Sequence, residues 1–283
     1  MGLKKTGMLS LKETDNDLYS RIVDKARSWQ AKYCGASIIK DNIFPSIRNF
    51  VRKYGRNVEM MFFPFGDENI RSVGILKENV FFLSLNTENA ISDEIYAAAV
   101  VAYHILRYLE EAVSSSFNII LTSRNLEFPL SRRDFEAGLF ARALLMSDTL
   151  LYEMSVIHNI DLKKPDVRTI LLLMSLFALP LRCVVIRLFE CSYITKEEAL
   201  VLLATKKEEI NEEMRLTGTG KRWLESGAGT ESFGSLYDNY EFNRKNGFLT
   251  DARIRESDAF LEEIRKRLTS SGTDRGSSDS GNR

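Results

Sequence analysis

Apolar residues recur at helical spacing over Leu18 to Tyr33 and Ile43 to Tyr54, and Gly35 and Gly55 follow where helix ends favour glycine. Two leading helices are expected. Three β-rich runs come next, Asn57 to Phe63, Arg71 to Lys77 and Val80 to Asn86, divided by Pro64-Phe65-Gly66-Asp67 and by the tight Glu78-Asn79 turn. They predict a small antiparallel sheet. From Ser92 to Val113 the spacing is helical again, with Ser92 as N-cap and Ile95, Ala99, Ala102, Leu106, Leu109 and Val113 on one stripe. A loop through Pro129 leads to a helix opened by a box-like Ser131 and Asp134 and carrying Phe135, Leu139, Ala143 and Leu144. A short helix then ends near His158.

Three further helices are read over Val167 to Phe177, Pro180 to Cys191 and Lys196 to Met214, the last opened by a Thr195 to Glu198 capping box. Gly218 to Gly229 breaks the pattern before two amphipathic helices, roughly Phe233 to Lys245 and Asp251 to Leu268. The Ser/Gly/Asp-rich tail, 269–283, has almost no apolar residues and predicts disorder. The expected organisation is a core with its leading helices over 1–160, a helical region over 161–268, and the tail.

Charge narrows the function classes. Lys plus Arg and Asp plus Glu each number 39, so no global field draws the chain to nucleic acid or to an anionic membrane. Cys34, Cys183 and Cys191 are widely spaced and form no Cys-x-x-Cys pair for zinc or redox chemistry. The strongest apolar run, Ile170 to Leu181, is interrupted by Pro180 and falls short of the roughly twenty residues a membrane span needs. Residues Met1 to Thr14 are polar and lack a signal-peptide core, so a cytoplasmic location is expected.

The chemistry-bearing pattern lies on two helices. Glu136-Ala137-Gly138-Leu139-Phe140-Ala141-Arg142-Ala143-Leu144-Leu145-Met146 resembles the Glu-Ala-Asn-x-Phe-Ala-x-x-Leu-Leu-Met-Pro segment of the ImmA/IrrE metallopeptidase family, with Gly138 replacing the asparagine and Ser147 the proline. Phe177 to Thr195 is similar to the helix-turn-helix-like stretch that follows the peptidase core in that family, so the likeness spans roughly Ile39 to Leu203. It implies an α+β, zincin-like fold with a helical, helix-turn-helix-like C-terminal region. In the family the preceding helix carries His-Glu-x-x-His, whose histidines share a helical face to bind zinc while the glutamate activates the bound water. The third ligand corresponds to Glu136.

Here the aligned residues are Tyr103, His104 and Arg107: both ligand positions and the general-base position are replaced. His104 and His158 are the only histidines, so no shifted register restores the pair. A guanidinium has no lone pair to donate and repels a dication. The resemblance therefore implies a pseudoenzyme with no catalytic residue, metal or cofactor, in which Tyr103, His104, Arg107 and Glu136 mark a vestigial site. Arg107 is expected to pair with Glu136 where zinc would sit, or with Glu111 one turn on. His104 reads as a partly buried, hydrogen-bonded residue, and Asp93-Glu94 as cap and solvent contacts.

Family members cut helix-turn-helix repressors of mobile elements or stress regulons. The implied role here is binding of such a regulatory protein without cutting it. Two alternatives are carried. One is an active zinc peptidase with the metal on Glu136 and Glu110. The other is a DNA-binding regulator using Pro180 to Cys191 with Arg182 and Arg187 at the DNA, although the apolar circumference of that helix and its Glu190 favour packing.

Overall fold

Helix caps and glycines set most element boundaries in the computed structural model, which describes residues 10–35, 37–110, 118–122, 132–226 and 231–273. Helix α1, Asn16–Trp29, starts where the Asp15 side chain accepts from the Leu18 amide at 3.0 Å, and it buries Ile22, Val23, Ala26 and Trp29 on one face. One π-helical turn, Gln30–Cys34, carries it to Gly35, whose φ of 77° suits only a residue without Cβ. Helix α2, Ile43–Lys53, buries Ile43, Ile47, Phe50 and Val51.

Strands β1 (Asn57–Phe63), β2 (Ile70–Lys77) and β3 (Val80–Asn86) follow. The β2–β3 hairpin is antiparallel around Glu78-Asn79, with Lys77 opposite Val80. The sheet as a whole is mixed, which corrects the antiparallel expectation: β1 pairs with β3 in parallel, from Asn57 opposite Val80 to Phe63 opposite Asn86. The connection over 64–69 leaves one strand position open between β1 and β2, and the hairpin then returns β3 into that slot beside β1. A fourth strand, β4 (Asn118–Thr122), lies within the stretch read as loop and pairs antiparallel with β2, giving the order β1-β3-β2-β4.

Helix α3, Ile91–Glu110, covers one face of this sheet, where Phe81, Leu83 and Leu85 alternate along β3 and Tyr108 meets Phe81 edge-on at 5.9 Å. Ser92 is not its cap but sits inside the first turn, buried, because the bridge between Ala90 and Ser226 and the bond from the Ile91 amide to Glu225 O start the helix one residue earlier. Helix α4, Arg132–Leu145, is buried at every residue from Phe135 to Leu145. It packs between α1 and α3. Ser131 and Val113, the expected partner of Asp134 and the last residue of the α3 stripe, lie outside the described residues.

The remaining helices are α5 (Asp148–Ile157), α6 (Val167–Phe177), α7 (Leu181–Glu190), α8 (Lys196–Leu203), α9 (Lys207–Thr217), α10 (Lys221–Leu224), α11 (Ser235–Lys245) and α12 (Asp251–Thr273). The Thr195–Glu198 capping box forms in both directions. The helix expected over Lys196 to Met214 is instead two, because Lys206 takes an extended conformation and caps α9. Helix α12 continues past Leu268 to Thr273, and 274–283 lie outside the described residues. One hydrophobic core runs from Leu11 to Trp223, across residue 160. Among the described residues no single helix is long and apolar enough to cross a membrane; α6 and α7 pass such a test only together, and they bend by 98°.

Candidate functional site

Residues 103 and 107 lie one turn apart on α3, on the face that α4 covers, and opposite them stands Glu136 in the first turns of α4. Tyr103 donates its hydroxyl to Glu136 Oε2 at 2.8 Å, and Arg107 donates Nη1 to the same oxygen at 2.9 Å. Glu136 Oε1 lies 3.6 Å from Arg132 Nε, an exposed side chain that also reaches Asp15 Oδ2 at 2.6 Å. The Arg107–Glu136 pair is thus present, while Glu111, the other expected partner, lies outside the described residues.

An aromatic floor fixes the cluster. The Tyr103 ring packs on Phe140 at 5.2 Å, Phe140 meets Trp29 edge-on at 6.0 Å, and Trp29 lies 4.2 Å from Phe50. Tyr103 and Phe140 are buried, so the hydroxyl has little freedom to turn away from the carboxylate. Glu136 is 7% exposed. A carboxylate buried to that degree is tolerated where donors satisfy it, and the phenol and guanidinium supply them.

His104, its ring 6.2 Å from that of Tyr103, is partly buried as expected from sequence, but its Nε2 is buried without the expected hydrogen-bond partner. Burial foremost, with Arg107 and Arg133 adding to it and Asp134 opposing, pushes the imidazole down to about 4. That folded value lies below the ordinary 6.5, so the unfolded chain takes up the proton first. The stability that neutral His104 contributes is full above about pH 6.5 and is lost as the pH falls toward about 4. Urea unfolding at about pH 7 and about pH 4.5 is expected to show a smaller stability gap for His104→Gln than for the unaltered chain. An unchanged gap would contradict a buried neutral imidazole.

Glu110, the second carboxylate of the metal alternative, is exposed and accepts from the Tyr54 hydroxyl at 3.3 Å. Among the described residues, no three His, Cys, Asp or Glu side chains converge in a way that could hold a metal ion. The donor set around Glu136 does not fit zinc: one carboxylate remains, and a guanidinium and a phenol already bond to it.

A second polar cluster was not anticipated. Arg142 grips Glu190 with Nη2 to Oε1 at 2.6 Å and Nε to Oε2 at 3.3 Å, and Ser10 Oγ donates to Glu190 Oε1 at 2.9 Å. Arg187 donates Nε to Met146 O at 3.0 Å and Nη1 to the Tyr19 hydroxyl at 3.3 Å, and pairs with Asp148 through Nη2. Arg187 and Glu190 are fully buried. The sequence signal was present in two opposite charges at i and i+3 on an otherwise apolar helix. Asp93 and Glu94 are likewise not solvent contacts: Asp93 pairs with Arg71 at 2.8 Å, and burial with the adjacent Asp93 pushes the Glu94 carboxyl up to about 8.

No family model, no curated protein and no solved structure matches this chain.

Proposed function

We propose that this chain is a non-catalytic homologue of the ImmA/IrrE metallopeptidases, with a zincin-like core, that acts by binding a regulatory protein such as a helix-turn-helix repressor. The observation that carries this reading is the convergence of Tyr103 and Arg107 on one oxygen of Glu136. These are the three positions that would hold zinc in the family's motif, and here a fixed cation and a phenol stand in the place of the metal. On this reading the carboxylate that would ligate the metal instead accepts a charge-assisted hydrogen bond, which ties α4 to α3 without an ion. That convergence supports reading Tyr103, His104, Arg107 and Glu136 as a vestigial site.

The DNA-binding alternative has less support, since Arg187 on α7 is 0% exposed and already committed to Asp148, Met146 and Tyr19. A buried guanidinium cannot reach a phosphate. The test is to mix the full chain with candidate helix-turn-helix repressors from the same genome and to follow both complex formation and repressor length. The expected result is a complex in which the repressor stays intact with or without a chelator. Repressor fragments that vanish when EDTA is added would overturn the reading in favour of a peptidase.

A further inference from the structure

β1 is an outer strand, and an outer strand presents a row of unpaired backbone groups that pair readily with another extended segment. Here the chain's own C-terminal region meets that edge. The Phe62 amide donates to Ser232 O at 2.7 Å, and the Ser232 amide donates to Phe62 O at 2.8 Å, a complete antiparallel bridge. Continuing that register places residue 234 opposite residue 60. Gly234 is there: a Cβ on it would lie 3.2 Å from Met60 O and 2.9 Å from Glu59 Oε2, and its φ is +55°. Only glycine fits that approach and that backbone. Glu59 Oε2 then accepts from the Ser235 amide at 3.3 Å, at the start of α11.

The same region covers part of the sheet face opposite α3. Phe233 stacks on Phe63 at 5.5 Å, Phe260 of α12 meets Phe63 edge-on at 6.1 Å, and Arg267 donates to Phe65 O. The cover is loose. A cleft of about 390 Å³ remains between α12 and the sheet, lined by Phe63, Phe65, Val73, Ser84 and Ile264 among others. No residue of α11 is buried, and among the described side chains of α12 only Ile264 is. Phe242, Phe248 and Phe260 are all exposed. A permanent domain interface closes to interior packing density, and this one does not.

We propose that residues 231–267 form an internal strap over a peptide-docking edge: the segment Glu231 to Ser235 holds the free side of β1, and an extended peptide of a partner protein pairs antiparallel with β1 when the strap lifts. The fitting peptide carries an aromatic side chain for the ring of Phe63 and a glycine two residues after the one opposite Phe62. This gives the binding role proposed above a surface, but it rests on residues remote from Glu136, so its failure leaves that reading standing.

The test uses the full chain, unaltered and as two variants: Ser232→Pro, which removes the donor to Phe62 O, and the pair Phe260→Ala with Arg267→Ala, which loosens α12 at exposed or half-buried positions. The probe is a synthetic peptide of residues 229–237, with a scrambled peptide as control. Hydrogen exchange at the Phe62 amide is expected to quicken at least tenfold in the variants and to slow again when the peptide is added. Peptide affinity is expected to rise at least tenfold over the unaltered chain, with no rise for the scrambled sequence. Amides of Phe62 and α12 that stay protected in both variants would show that these contacts do not hold a strap. Faster exchange without peptide capture would show that the edge is not a docking site. Either result overturns the proposal.

Discussion

Glu190→Ala is expected to destabilise the fold by about 3–5 kcal/mol, the range for removing one partner of a buried ion pair. The reason is what remains behind. Arg142 and Arg187 both lie against Glu190, at 2.6 and 3.6 Å, with side-chain exposures of 7% and 0%. A guanidinium cannot shed its proton to escape burial, so both charges persist in the apolar interior. Arg187 would keep Asp148, whereas the carboxylate gripped by Arg142 would be gone. Ser10 Oγ would lose its acceptor as well, loosening the N-terminal residues from α7. Urea midpoints at constant slope would measure the loss, and Glu190→Gln, which keeps an acceptor without the charge, is expected to fall between the two. A loss under about 1 kcal/mol for the alanine variant would mean that water or a backbone shift satisfies both arginines.

Such a cluster joins segments far apart in the chain: Ser10, Arg142 and Glu190 come from the N-terminus, α4 and α7. It explains why the core is continuous across residue 160, and why α7 is held as a packing helix. Its partners were not legible in the sequence. Periodicity on α7 reveals that Arg187 and Glu190 share a face with apolar residues, but not that a third charge on α4 meets them.

The same limit marks the sheet. Alternation along Val80 to Asn86 identifies a strand and its buried face, since Phe81, Leu83 and Leu85 are inward. It says nothing about neighbours, and the parallel pairing of β1 with β3 depends on where the 64–69 connection delivers β2. Strand β4 was missed although Ile119, Ile120 and Leu121 form a short apolar run, because a single unpaired run between two helices carries no register of its own. One local signal fared better: the Thr195–Glu198 box caps α8 as short-range hydrogen bonding dictates, whereas Ser92 falls inside α3. The bridge from Ser232 to Phe62 spans 170 positions and leaves no trace in composition.

The Arg107–Glu136 contact was legible for a specific physical reason. Residues at i and i+4 on a helix face the same neighbour, so positions 103 and 107 meet Glu136 together whatever side chains they carry. If the proposed kinship is right, placing the family's residues at these positions should build a metal site on this backbone. Tyr103→His, His104→Glu and Arg107→His together would turn two neutral imidazoles toward Glu136 in place of the phenol and the guanidinium, giving two nitrogen donors and one carboxylate for a tetrahedral ion with one open position. Phe140 keeps its edge-on contact with Trp29, while an imidazole replaces the Tyr103 ring that packs on it.

Zinc content by elemental analysis, on the unaltered chain and on this triple variant purified without a histidine tag, tests the reading most directly, with circular dichroism to check that both are folded. The expected result is a metal-free unaltered chain and about one zinc per folded variant chain, a change from none to saturation. Stoichiometric zinc in the unaltered chain, or a folded triple variant that takes up none, would contradict the view that Arg107 and Tyr103 occupy the place of a lost metal.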